Sequence, residues 1–352
     1  MAFFSRAARF AVRSRRQGEV VLHIGRNKAG STTIQDFCLE QRAELRARGV
    51  EYVMFGHLAD SQPGVAGFVT FGELLSDLRA RPGARRLVSN EFMFGWPDEF
   101  TEDAAKALAG VDVQIIVYLR RYDQWAASAY AEETRRGMNM RGIDDYLAWL
   151  GPRVSAWPHL RKWGECFGWD RVRVRDLAPA ALRRGDLLSD FLHELGLRMA
   201  ARGGARSNVA PHWIELELTR RLAERNGETE WAGVAREVVE PLLAELRPLL
   251  AVAGPAPYLS LAQRRSLLDL YNEDLGRIRR AGGGRLAPVR ADLGPERRFA
   301  PSFEQIPDEV LQGFFVGTTR PAFLAAHPQA GERARRLRNE MAPRLGAAGA
   351  AP

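Results

Sequence analysis

The chain has 352 residues, 46% hydrophobic and 27% charged, a balance that suits a folded globular protein and excludes a disordered one. It holds 51 basic and 43 acidic residues, a net charge of +8, yet only Lys28, Lys106 and Lys162 are lysines. Two cysteines, Cys38 and Cys166, cannot build a disulfide framework and lack zinc-ligand spacing, which points to a reducing compartment.

Residues 1–17 read as a basic arm, with five arginines but no uninterrupted apolar run or cleavage site. Such an arm suits solvent, or peripheral contact with an anionic membrane surface. No apolar run reaches the ~20 residues of a membrane span. The expectation is a cytoplasmic protein, with the inner membrane face as the place for any such contact. Val20 to Ile24 is a short apolar run stopped by Gly25, the mark of a buried strand. Ser31 to Arg48 carries Ile34, Phe37, Cys38 and Leu45 at helical spacing, and Gly49 stops it. Val50 to Met54 is a second strand. Phe71 to Arg81 reads as a helix ended by Pro82-Gly83. Leu87 to Ser89 is a brief strand, followed by a loop over Asn90 to Asp98 and a helix over Thr101 to Ala109 with a threonine cap. Val113 to Leu119 is the most hydrophobic strand, and Tyr122 to Arg136 an amphipathic helix. Val172 to Val174 is a weaker strand, and Asp186 to Leu195 a further helix.

Strands alternating with helices predict an α/β fold, a parallel sheet with helices on both faces. From Pro211 onward the patterns are helical: Trp213 to Arg225, Trp231 to Leu250 and Leu261 to Arg280, broken by Gly/Pro-rich loops. The expected organisation is one α/β domain over residues 18–282, with a mostly helical C-terminal elaboration from about 211. Residues 283–352 form a C-terminal extension whose end reads as a disordered tail.

Acidic residues are interleaved with the arginines (Glu132, Glu133, Asp144, Asp145), and no arginine block with spaced aromatics occurs. Nucleic acid is therefore not the expected partner. A small polyanion such as a nucleotide fits the basic balance.

Gly25-Arg26-Asn27-Lys28-Ala29-Gly30-Ser31-Thr32-Thr33 lies between a strand and a helix. Glycines permit a tight turn that exposes backbone N–H groups, and the following helix adds its positive end. The two glycines have Walker A spacing, but Ser31 stands where that loop has its lysine, and Lys28 sits three positions earlier. A second element is Arg120, at the end of the central strand, with Ser128 eight residues on. An Arg/Ser pair suits a second phosphate, because guanidinium takes two oxygens and the hydroxyl a third.

Together these elements resemble the sulfotransferases that use 3′-phosphoadenylyl sulfate (PAPS), in particular bacterial carbohydrate-type members. The residues that carry the resemblance are His23-Ile24-Gly25, Lys28, Gly30, Ser31, Thr32, Thr33 and Gln35, then Tyr118-Leu119-Arg120-Arg121, Asp123, Trp125 and Ser128. It continues through Asp186 to Gly196 and, more loosely, through Asn208 and Leu261 to Gly282. Asn27 replaces a commoner His, and Ala29 a commoner Thr or Ser. The resemblance implies a P-loop NTPase-like sheet and metal-free transfer of a sulfuryl group from PAPS to a hydroxyl of a carbohydrate or glycolipid. It implies that Arg26, Asn27, Lys28, Ala29, Gly30, Ser31, Thr32 and Thr33 hold the 5′ end of the donor. Lys28 would neutralise the leaving phosphate, and Arg120 and Ser128 would hold the 3′-phosphate. Carbohydrate-type members often carry Ser-x-Glu after the strand that here ends in Ser89-Asn90-Glu91, so Glu91 is the expected base, with His57 as its rival. The competing readings are a nucleoside-triphosphate kinase on the same sheet and a non-catalytic nucleotide-binding module. The kinase reading requires a Mg²⁺-holding carboxylate at a strand end and a lysine after Gly30. The Val113 to Leu119 strand instead runs into Arg120-Arg121, and Ser31 follows Gly30.

Overall fold

The computed structural model describes residues 18–56, 67–81, 83, 85–201, 211–224, 258–284, 286–289, 293, 305–318, 320–321, 325 and 328–345. The basic arm, His57, Asn208, the helix expected over 231–250 and the last residues of the tail lie outside them.

Strand β1 is Glu19–His23 and is followed by helices α1, Ser31–Glu40, and α2, Arg42–Ala47. Strands β2, Val50–Phe55, and β3, Gly67–Phe68, precede α3, Phe71–Ala80. Next come β4, Arg85–Ser89, α4, Asp98–Ala107, and β5, Asp112–Leu119. Helices α5, Tyr122–Arg135, α6, Ile143–Leu150, and α7, Trp157–Phe167, lead to β6, Val172–Asp176, and α8, Leu187–Glu194. The remaining described helices are α9, Trp213–Glu224, α10, Leu261–Ala281, α11, Asp308–Thr318, and α12, Pro328–Leu345.

The six strands form one sheet in the order β3-β2-β4-β1-β5-β6, and every pairing is parallel. Central strands buried on both faces need continuous apolar runs. Val20, Val21 and Leu22 of β1 and Ile115 to Leu119 of β5 meet that need, each with zero exposure. Burying Leu22 alone is worth roughly 2 kcal/mol. Alternation then assigns the faces. Val21, Tyr52, Met54, Leu87, Ile116 and Tyr118 pack with Ile34, Phe37 and Cys38 of α1 and with Leu188, Phe191 and Leu192 of α8. On the other face Phe55 packs at a tilt on Phe71 of α3 at 4.4 Å and reaches Trp96, which stacks on Trp163 of α7 at 6.1 Å.

The expected alternation and parallel sheet are what the structure has. Three local details differ. The helix from Ser31 is interrupted at Gln41, whose φ and ψ of −99° and 15° leave the helical range. The helix expected to start at a Thr101 cap starts at Asp98 instead. Pro97 precedes it, and Asp98 and Glu99 place carboxylates in the first turn, where the helix dipole favours them. Among the described residues the C-terminal extension contains helices α11 and α12, for which the sequence names no element.

The chain divides into two compact units. The first, residues 1–121, 155–206 and 270–289, holds the sheet. The second, residues 122–154, 207–269 and 290–352, is helical where described. In it Tyr130 packs against Tyr146 at 5.3 Å and Tyr258 at 5.8 Å, and Trp149 carries the guanidinium groups of Arg141 and Arg153 on its ring.

One buried charge ties β6 to α8. Asp190 has zero exposure and accepts from Tyr118 Oη (2.9 Å), Arg175 Nε (2.9 Å) and the Arg183 backbone N–H (2.8 Å). Burial works against the charged carboxylate, but these donors outweigh it and hold its pKa below the ordinary 3.8. A depressed folded pKa contributes stability that is present above the unfolded value and lost as pH falls through the folded one. Asp190→Asn should therefore cost about 3 kcal/mol near neutral pH. In denaturant melts at several pH values, the gap to wild type should narrow in acid below 3.8. A gap independent of pH would contradict this account of Asp190.

Candidate functional site

Parallel pairing fixes how far each strand reaches: β1 and β4 end level, and β5 runs three residues further, to Leu119. His23, the last residue of β1, pairs with Ser89 on β4 and Ile116 on β5. Chain leaving β1 runs toward β2 on one side, and chain leaving β5 runs toward β6 on the other. A crevice outside the carboxyl ends of β1 and β5 follows from that reversal, and ligands of α/β sheets bind in such crevices.

The loop after β1 is tightly wound. The Ala29 N–H donates to Arg26 O (3.1 Å), and Ser31 Oγ donates to the same carbonyl (3.1 Å). Lys28 takes a left-handed φ of 59°, and Gly30 one of 88°. A side chain on Gly30 would run into Leu187 of α8. Lysine in that conformation costs roughly 1–2 kcal/mol, and such strain is concentrated where function needs it. No side chain caps α1 at Gly30, so its positive end is directed into the loop. Thr32 and Thr33 are exposed there, Lys28 and Gly30 are half-buried, Asn27 is exposed and Ala29 is buried.

Arg26 is 3% exposed, and its guanidinium lies 5.5 Å from the centre of the Phe94 ring. That cation–π contact joins the loop after β1 to the segment after β4. Arg120 follows β5, is half-buried, and donates from Nη1 to Lys28 O at 3.4 Å. The two anion-binding segments expected from sequence thus touch. Ser128 is half-buried on the second turn of α5 and belongs to the other compact unit.

Glu91 opens a short 3-10 turn, Glu91–Gly95, in the stretch read from sequence as a loop. Asn90 fixes that turn. Its backbone N–H donates to His23 O (3.0 Å), its side-chain amide donates to Phe55 O (3.0 Å), and its Oδ1 accepts from Phe92 N–H (2.9 Å). Glu91 itself is half-buried, and among the described residues no cation pairs with its carboxylate. Phe92 beside it is 59% exposed, while Phe94 is buried and Trp96 half-buried.

No protein-family model matches this chain, and no curated protein matches it.

Two histidines near the loop have no catalytic or binding role assigned from sequence, although His23 is among the residues that carry the resemblance. His159 of α7 lies against Phe94 at 5.0 Å. Burial, then Lys162 and Arg26, pushes its pKa down to about 4, so it is neutral near pH 7. Its signal was the His159/Lys162 spacing on one helix face, in a stretch to which the sequence reading assigned no element. His23 is fully buried, and burial lowers its pKa to about 3. Among the described residues no helix is long and apolar enough to cross a membrane.

The strain at Lys28 gives a direct test. Lys28→Gly removes the left-handed penalty and should raise stability by about 1 kcal/mol, read as a higher melting temperature. It should also weaken binding of anions such as pyrophosphate, read by calorimetry. A variant less stable than wild type would mean the loop conformation is not strained.

Proposed function

We propose that the protein is a sulfotransferase that moves the sulfuryl group of PAPS to a hydroxyl of a carbohydrate or glycolipid. The observation that carries this reading is the contact between the loops after β1 and β5, where Arg120 Nη1 meets Lys28 O. It brings a strained lysine, an uncapped helix N-terminus and a strand-end arginine to one crevice, a combination that suits a donor with phosphates at both ends. The family resemblance of the same residues supplies the donor's identity, and the parallel sheet agrees with it.

In this reading the acceptor oxygen attacks sulfur as the bond from sulfur to the bridging phosphate oxygen breaks. The products are a sulfate ester and adenosine 3′,5′-bisphosphate. Lys28 offsets the charge that develops on the leaving phosphate, an electrostatic role that is strongest in a water-poor site. Glu91 takes the acceptor proton. The 3-10 turn set by Asn90 opens on Glu91, two residues past the end of β4, which pairs with the end of β1. The exposed ring of Phe92 offers an apolar surface for the acceptor.

Calorimetric titration without added metal tests the donor. Adenosine 3′,5′-bisphosphate should bind, and ATP should bind more weakly. Absence of bisphosphate binding, or tighter ATP binding that requires Mg²⁺, would sink the proposal and favour a kinase. In a transfer assay with PAPS, Lys28→Ala should lose about 10²–10³ in rate. Glu91→Gln should abolish transfer while sparing bisphosphate affinity; unchanged turnover would remove Glu91 as the base.

A further inference from the structure

His23 sits under the anion loop with zero exposure. Its Nδ1 is 2.7 Å from Ser89 Oγ, and its ring is wedged edge-on against Phe191 (5.6 Å) and Tyr118 (6.2 Å). Its Nε2 is buried with no hydrogen-bond partner. Leaving a buried polar atom unpaired is costly, so a native structure that keeps one calls for a reason. The direction of Nε2 supplies it. A Cβ placed on Gly25 would lie 3.2 Å from Nε2 and would collide with Ser31 Oγ. Nε2 and the Ser31 hydroxyl therefore approach the same side-chain-free space above Gly25, at the start of α1. An imidazole neutral near pH 7 has one N–H. Ser89 can donate to Nδ1, which leaves that proton on Nε2, facing the loop.

We propose that His23 is a positioning residue for the anion loop: fixed through Nδ1 by Ser89, it offers Nε2–H to the Ser31 hydroxyl oxygen when the loop holds an anion. The Ser31 proton then turns from Arg26 O toward the ligand. Gly25 is required because any side chain there would fill the gap. The arrangement also links the two loops of the site, since Ser89 directly precedes the Asn90-Glu91 turn. This inference rests on the anion-loop part of the proposed function and not on the identity of the donor.

The test uses the full chain and two probes, adenosine 3′,5′-bisphosphate and inorganic pyrophosphate, titrated by calorimetry. Asparagine can reproduce the bond at Nδ1 but not at Nε2, whereas glutamine reaches the Nε2 position. His23→Asn should weaken both probes about tenfold, and His23→Gln should recover most of that loss. The Ser31→Ala, His23→Asn double variant should be no weaker than Ser31→Ala alone, because the two groups act as one. A purely structural role would lower the melting temperature without this order of affinities. Where His23→Asn does not fold, Ser89→Ala removes the donor that fixes the tautomer and should weaken both probes as well. Wild-type affinity in His23→Asn or in Ser89→Ala, or additive losses in the double variant, would overturn the proposal. Wild-type protein that binds pyrophosphate but not the bisphosphate would refute the sulfotransferase reading while this inference is still decided by pyrophosphate. Binding of neither probe would refute both.

Discussion

Strand β1 is hydrogen-bonded on both sides, to β4 and to β5, and the candidate site follows from that. Parallel pairing sets His23 level with Ser89 and Ile116, so β1 and β4 end together and β5 runs three residues past them to Leu119. The ladder runs a step further on each side, through Asn90 N–H to His23 O (3.0 Å) and Ile24 N–H to Ile116 O (3.1 Å). The loops that follow cannot move independently of these ends. Because β1 is buried on both faces, a register slip would expose its apolar run or clash its neighbours.

Cations of the chain lie at both ends of these strands. At the amino end of the strands, the buried Arg86 pairs with Asp77 at 2.7 Å and Glu51 at 3.5 Å, and Arg85 pairs with Glu19 at 2.7 Å. Those cations are matched by carboxylates within the fold. At the carboxyl end stand Arg26, Lys28, Arg120 and the uncapped end of α1. The +8 is thus a poor guide as a total, and the position of a few cations relative to β1 is the better one. Lysine at a left-handed position is part of the same pattern, since the fold tolerates strain there that glycine would relieve.

Much of the sheet was legible because buried strands announce themselves as unbroken apolar runs, as in Val20 to Ile24 and Val113 to Leu119. The loop after β1 was legible from glycine spacing and the displaced lysine. Helices α6 and α7 were not read, although both are described and α7 covers one face of the sheet through Trp163. Trp157-Pro158 at the start of α7 reads locally as a breaker, yet proline is tolerated in a first turn. The start of α4 was misread at Thr101, because Pro97 and the two acidic residues after it outrank a threonine cap. The role of Asn90, the burial of Arg26 and the bond between His23 and Ser89 could not be read at all, because they depend on residues that only the fold brings near. His57, the rival base, lies outside the described residues.

In the proposed function the segments after β1 and β5 form one anion site. Amide hydrogen exchange with and without adenosine 3′,5′-bisphosphate tests it most directly. Slower exchange on binding at both 26–33 and 120–121, with the amino ends of β1 and β4 unchanged, is the predicted result. Protection confined to other segments, or to only one of the two, would contradict it.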